Sequence, residues 1–264
     1  MCVAARVATA ALVAGALALP IAAVAAGVEE TIARVKRSVV AIGTFERTRS
    51  PPFQFRGTAF AVGDGTQVVT NAHVLPATLD PDRRETMAVL LPAPPREGSS
   101  EPQVQVRAAR RVATDHDHDL AVLSIEGGPL PALSLGDSTG VREGRTVYFT
   151  GFPIGAVLGP HPATHRALVA AVTPIAIPQP TSGSLDAATV KRIAAGPFPV
   201  FQLDGTAYPG NSGSPLYDGE TGAVLGVLNM VLVKATKESA LTQPSGIAYA
   251  VPAEHLRALL ARAR

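Results

Sequence analysis

The sequence predicts an all-β protein built from paired antiparallel β-barrels, and three observations lead there. The 264 residues include 24 glycines and 23 prolines, a supply of turns that suits many short strands better than long helices. Short apolar runs recur through both halves of the chain, and the second half repeats the texture of the first without repeating its residues. Helical periodicity is confined to a few short segments. Hydrophobic residues make up 47% of the chain, enough to bury a core as one large domain or two small ones. The formal charge of +2 carries no nucleic-acid footprint.

Residues 1–26 are a different material. Arg6 is followed by an uncharged Ala/Leu/Val-rich run to Ala26, broken by Pro20 and ending in small residues around Ala23-Val24-Ala25. That is the pattern of a secretory signal peptide, and it predicts an exported protein, periplasmic or secreted. The same run is nearly long enough to span a bilayer, so a membrane contact is expected only if it stays uncleaved. Cys2 is the only cysteine and lies within this segment, so the mature chain is expected to rely on its core and not on disulfides.

In the first half, 27–139, Val28, Ile32 and Val35 sit at helical spacing and predict a short amphipathic helix. Val39–Gly43 reads as the first strand, and Ser50-Pro51-Pro52 as a loop. Gly57–Val62 and Gln67–Thr70 flank Gly63-Asp64-Gly65, a hairpin signal. Met87–Leu91 is a further strand, and Pro92–Pro102 is expected to be an unpaired loop because of its prolines. Val104, Val106 and Ala108 alternate with Gln105, Arg107 and Ala109 as a half-buried strand. Leu120–Ile125 is the most apolar strand of this half, and Pro129–Gly140 connects to the next.

In the second half, 140–264, strands are expected at Thr146–Thr150, Ala167–Val172, Val200–Leu203, Leu225–Val233 and Ile247–Val251. Ser184 is placed to cap a short inserted helix through Ala195, stopped by Gly196-Pro197. Pro252 opens a closing helix with Leu256, Leu259 and Leu260 on one face.

The chemistry gathers at Gly210-Asn211-Ser212-Gly213-Ser214-Pro215. Two glycines allow a sharp turn that thrusts the Ser212 hydroxyl outward and aims the N–H groups of Gly210 and Ser212 at one point, an oxyanion hole. Alone, such a run is also ordinary turn composition. A serine nucleophile needs a histidine base and a carboxylate to hold that base. His73, at the end of a predicted strand, is the base. Asp115, Asp117 and Asp119 offer the carboxylate, and Asp119 is preferred because it abuts the apolar Leu120–Leu123 strand. His116 and His118, two apart, raise a metal pair on a strand face as a weaker reading beside a solvated turn, and no metal is assigned.

Taken in order, His73, Asp119 and Ser212 carry a resemblance to the trypsin-like serine proteases, nearest to the HtrA/Deg branch. The matching residues are Gly57-Thr58-Ala59-Phe60, Thr70-Asn71-Ala72-His73-Val74, Asp119-Leu120-Ala121-Val122-Leu123, Gly151-Phe152-Pro153, Gln202 to Gly213, and Ser245 to Pro252. The resemblance implies the chymotrypsin fold: two perpendicular six-stranded antiparallel barrels and a short C-terminal helix, with the site between the barrels. It implies a serine endopeptidase with the triad His73, Asp119 and Ser212, needing no cofactor, that acts on polypeptides such as unfolded or damaged envelope proteins.

The resemblance also implies a specificity pocket of Thr206, Ala207, Leu228, Met230 and Val231, which suits small or medium aliphatic residues. Ser214 departs from the family's glycine and resembles the glutamyl endopeptidases, although His161 and His165 lie far upstream of Ser212 for a pocket histidine. The chain stops soon after the closing helix, so no PDZ domain is expected. A catalytically silent peptide-binding module on the same fold is the competing reading.

Overall fold

A computed structural model describes residues 27–93, 103–155, 161–174, 197–229 and 246–263. The signal segment, the expected Ser184–Ala195 helix, and Met230 and Val231 of the expected pocket all lie outside these residues. Among the described residues no helix is long and apolar enough to cross a membrane.

The first barrel is made of β1 (Val39–Phe45), β2 (Phe53–Val62), β3 (Gln67–Asn71), β4 (Thr86–Ala93), β5 (Gln103–Asp115) and β6 (Leu120–Ile125). It closes in the order β1-β2-β3-β6-β5-β4. The second holds β7 (Thr146–Gly151), β8 (Ala163–Pro174), β9 (Pro199–Asp204), β10 (Pro215–Tyr217), β11 (Val224–Asn229) and β12 (Ile247–Pro252). It closes as β10-β11-β12-β9-β8-β7. All pairings within these strands are antiparallel. This is the all-β, twice six-stranded architecture expected from the sequence.

Closure leaves three apolar clusters. Val40, Ile42, Val68, Val89 and Leu123 fill the first barrel, and Phe149, Val169, Leu203, Leu216 and Leu228 fill the second. A third cluster lies between the barrels, where Phe60, Val122, Tyr217, Val227, Leu256 and Leu259 meet. Each such side chain contributes roughly 1.5–3 kcal/mol on burial, so the interface between barrels is itself a core.

Helix α1 (Val28–Lys36) reaches the second barrel through the Arg34 guanidinium, which donates to the Thr221 carbonyl at 2.9 Å. Helix α2 (Ala253–Arg262) follows Pro252 directly. Its Leu256 and Leu259 enter the shared core, while Arg262 donates to Asp115 of the first barrel at 3.0 Å. Both helices strap one barrel to the other.

Two expectations are corrected at β4 and β5. Pro92 was expected in a loop but pairs with Val104 inside the sheet. The β1–β4 ladder ends at Ala41 and Leu90, so Pro92 has a neighbour on one side only and is not asked for a second hydrogen bond. The alternation expected on β5 is absent from its start. Val104, Gln105 and Val106 are all exposed and Ala109 is buried, because Val104 to Val106 pair with β4 at and beyond the last β1–β4 pair, Ala41 with Leu90.

Candidate active site

His73 sits in a single 3-10 turn, Ala72–Val74, that continues β3. Its Nδ1 lies 2.5 Å from Asp119 Oδ2, and its backbone N–H donates to Asp119 Oδ1 at 2.9 Å. An ionised carboxylate only accepts hydrogen bonds, so the pairing places the ring proton on Nδ1 and leaves the lone pair on Nε2.

Asp119 is held from several directions. Its backbone adopts φ 54°, a left-handed conformation that Asp tolerates better than most residues. The Asp119 carbonyl thereby accepts from the Ala72 N–H and from Asn71 Nδ2, each at 3.1 Å. From the second barrel, Asn229 Nδ2 donates to Asp119 Oδ2 at 2.8 Å.

The Ser212 turn docks onto the first barrel through β2. The Thr58 N–H donates to the Ser212 carbonyl at 2.9 Å, and the Thr58 hydroxyl donates to the Gly210 carbonyl at 2.7 Å. The Thr58 hydroxyl in turn accepts from the Phe152 N–H at 3.1 Å. A Cβ at Gly57 would stand 2.9 Å from the methyls of Val74 and 3.0 Å from the Ser212 carbonyl oxygen. Gly57 is therefore the point at which the His73 turn and the Ser212 turn close on each other.

Gly210 and Gly213 have φ of 102° and 87°, the left-handed backbone the sequence anticipates on either side of the serine. The turn is closed by the Asn211 N–H to the Tyr208 carbonyl and the Ser214 N–H to the Asn211 carbonyl, both 3.0 Å. Among the described residues neither the Gly210 nor the Ser212 N–H donates to a backbone carbonyl. The Pro209 carbonyl accepts from the Ile154 N–H at 2.7 Å. Carbonyl and N–H of one trans peptide point to opposite sides, so this bond also sets the direction of the Gly210 N–H.

Of the expected pocket residues, Ala207 and Leu228 lie in the core of the second barrel. Thr206 stands half-buried on the approach to Ser212.

The structure adds residues that the sequence did not single out. Asn229 had one signal in the sequence, a polar residue inside the otherwise apolar Leu225–Val233 run, and the structure buries it to 3% exposure. His165 was discounted for its distance along the chain. Strand β8 nevertheless brings it to the segment leading to Ser212, its ring 6.2 Å from that of Tyr208 and stacked on Phe149 at 4.9 Å. Burial lowers its pKa.

In the Asp115–Asp119 run the structure follows the turn reading and not the weaker metal-pair reading. His116 and His118 lie in a turn and share no strand face, and Asp115 is the last residue of β5, with its side chain buried against His118 and Arg262. Among the described residues no cluster of metal-ligating side chains forms.

Two closed barrels with a His–Asp pair on one and a glycine-flanked serine on the other define a chymotrypsin-like fold. The model of the trypsin-like peptidase domain matches residues 57–227, and the chain belongs to that family. A probable periplasmic serine endoprotease DegP-like of Halomonas elongata is 27% identical over 186 residues, covering 68% of this chain and 30% of that protein. The mitochondrial serine protease HTRA2 of Bos taurus is 29% identical over 235 residues, covering 86% of this chain and 42% of that protein. The chain thus spans well under half the length of these relatives. Among solved structures, the HtrA-type protease AlgW with a tripeptide aligns with a TM-score of 0.58 at 23% identity, over 87% of this chain and 61% of that one.

Proposed function

We propose that the protein is an exported serine endopeptidase in which Ser212 is the nucleophile, His73 the general base and acid, and Asp119 the group that orients His73. The observation that carries this reading is the His73 Nδ1–Asp119 Oδ2 pair at 2.5 Å, standing beside the Ser212 turn at Gly57. With its proton fixed on Nδ1, the imidazole is in the tautomer that a base needs.

In the proposed reaction the Ser212 oxygen bonds to the substrate carbonyl carbon while its proton passes to His73 Nε2. The carbonyl oxygen takes up negative charge and is met by the Gly210 and Ser212 N–H groups. Collapse breaks the C–N bond, and His73 returns the proton to the departing amine. Water then adds to the acyl-enzyme with His73 as base, releasing the new carboxyl end and restoring Ser212. Asp119 stays ionised and stabilises the imidazolium formed between these transfers.

Substrate side chains enter beside Thr206, Ala207 and Leu228. The relative named as periplasmic supports the export of this chain, and unfolded or damaged envelope proteins are the substrates proposed for it. A fluorophosphonate probe tests the reading. Purified protein should label at Ser212, and both Ser212→Ala and His73→Ala should abolish labelling. Folded wild-type protein that fails to label would overturn it.

A further inference from the structure

The carboxylate of the proposed triad stands at the end of a turn that is fastened by the C-terminal helix. The turn runs from Asp115 to Asp119 and returns β5 into β6. A left-handed backbone at a residue other than glycine costs on the order of 1 kcal/mol, so the turn must be held by its surroundings to keep Asp119 in place.

Part of the hold is local. Asp115 Oδ1 accepts from the N–H groups of Asp117 and His118 at 3.1 and 3.2 Å, and Asp115 Oδ2 pairs with His118 Nδ1 at 2.9 Å. The rest comes from elsewhere in the chain. His255 on α2 lays its ring on His118 with centroids 3.8 Å apart and planes within 20°. Phe198, just ahead of β9, meets His118 edge-on at 4.7 Å and His255 at 5.3 Å. Arg262, about two turns further along the same helix, closes on Asp115 Oδ2 at 3.0 Å.

His118 is thus gripped by two rings, those of His255 and Phe198, and by the Asp115 carboxylate, and it immediately precedes Asp119. Burial first, and then the charge of His118, lower the pKa of His255 to about 4, so the stack forms around a neutral His255 ring. The node meets the proposed triad through the backbone that carries Asp119.

We propose that His118 and His255 are positioning residues: through their stack, and through the Arg262–Asp115 ion pair, α2 holds the turn in the conformation that aims the Asp119 carboxylate at His73. The proposal rests on the endopeptidase reading for its effect on turnover, but not for its effect on geometry. A bystander contact would contribute stability alone, whereas a positioning contact also sets the His73–Asp119 hydrogen bond.

The experiment reads both quantities on the full chain. A short, charge-assisted Nδ1–H bond gives a far-downfield proton NMR signal whether or not the enzyme turns over. In His255→Ala that signal should broaden or move upfield, and kcat per titrated active site should fall about tenfold with KM within about twofold. His255→Phe keeps an aromatic ring on His118 and should recover most of both. Arg262→Gln cuts only the ion pair and should lower kcat about threefold, which keeps the test open if His255→Ala fails to fold.

An unchanged downfield signal and unchanged kcat per site in His255→Ala and Arg262→Gln would overturn the proposal, whatever happens to their stability. If wild-type protein gives no fluorophosphonate labelling, the endopeptidase reading fails by itself. The downfield signal, compared across the same variants, then decides the positioning role alone.

Discussion

Asn229, the last residue of β11, donates through Nδ2 to Asp119 Oδ2 at 2.8 Å, and so a side chain of the second barrel completes the carboxylate of the first. The same oxygen faces His73 Nδ1. One carboxylate oxygen thus receives two donors from opposite sides of the cleft, which fixes its direction more firmly than either bond alone. The proposed triad is assembled across an interface, and its alignment depends on how the barrels dock.

Removing that donor should cost both catalysis and folding. Asn229→Ala leaves Asp119 with its His73 contacts but without its second-barrel donor, and kcat/KM is expected to fall about tenfold, beside about 1.5–3 kcal/mol of stability for a lost hydrogen bond to a charged group. Peptide hydrolysis alongside urea unfolding separates the two. A loss of stability with no loss of kcat/KM would show that the His73 contacts suffice to hold Asp119.

Gly213 turns with φ 87° directly behind the serine, and a Cβ there would collide with the Thr58 carbonyl and the Thr70 hydroxyl. Both are anchored, since the Thr70 hydroxyl donates to that carbonyl at 2.7 Å. Gly213→Ala therefore combines backbone strain with a clash that no side chain can relieve. Its expected cost is more than about 2 kcal/mol in urea unfolding, together with loss of fluorophosphonate labelling.

Ser214 presents the opposite case. Its hydroxyl is fully buried and has no hydrogen-bond partner among the described residues, and both amide atoms of neighbouring Asn211 are in the same position. An unpaired buried hydroxyl is a cost, so Ser214→Ala should stabilise the fold by about 1 kcal/mol. A lower unfolding midpoint in the variant would show that the hydroxyl is satisfied in solution.

The barrels were legible in the sequence because their strands are short, apolar and punctuated by glycine and proline, and the Gly63-Asp64-Gly65 hairpin stands where the pattern put it. The Gly210 and Gly213 turn was legible for the same local reason. What the sequence could not show are contacts made by folding at long range. His165 lies 47 residues before Ser212 in the chain (212 − 165), yet its ring stands beside Tyr208. The choice among Asp115, Asp117 and Asp119 rested on a neighbouring apolar strand, whereas Asp119 is placed by a left-handed backbone and by donors from Ala72, Asn71 and Asn229. The start of β5 was misread because alternation does not show where a strand runs past its neighbours and exposes both faces.

Acid should weaken the fold in two stages. His255 has an ordinary pKa of 6.5 and is lowered to about 4, by burial first and then by His118, against the opposing charge of Asp115. Among the described residues, Glu254, 3.8 Å away on the same helix, is a further charged neighbour. The unfolded chain therefore takes up a proton at His255 before the folded one does. The stability this provides is complete above about pH 6.5 and is lost as pH falls toward 4, by roughly 1–2 kcal/mol after solvent screening of a half-buried ring. The second stage involves carboxylates. Asp218 is lowered to about 2, burial being outweighed by hydrogen bonds from Arg145 and Thr221. Asp115 is also lowered, burial again being outweighed, here by hydrogen bonds from His118 and Arg262. Depressed carboxylates stabilise above their ordinary pKa, so their contribution goes only below about pH 4. His165 is also lowered by burial and adds to the same stage, so the urea midpoints at about pH 7.5 and pH 4.5 should lie closer together in His255→Phe than in the wild type. Equal midpoints in the wild type would contradict the first stage.

Ile154 tests how the oxyanion turn is aimed. It is a β-branched residue at φ 60°, a conformation such a side chain resists, and its N–H holds the Pro209 carbonyl at 2.7 Å. That bond orients the whole Pro209–Gly210 peptide and with it the Gly210 N–H proposed to meet the substrate oxyanion. Ile154→Pro removes the donor and forbids a positive φ, so the Pro209 carbonyl loses its anchor and the peptide is free to turn over. Ile154→Gly keeps the donor and adopts the same φ without strain. The expected order of fluorophosphonate labelling rates is wild type close to Ile154→Gly, with Ile154→Pro lower by 10-fold or more, on the order of the loss from removing one oxyanion donor. Peptide hydrolysis should follow the same order through kcat, because the interaction is made in the transition state. Equal rates in all three would mean that the Gly210 N–H is aimed by the Ser212 turn itself, through the Thr58 hydroxyl on the Gly210 carbonyl, and that the 152–155 loop has no part in it.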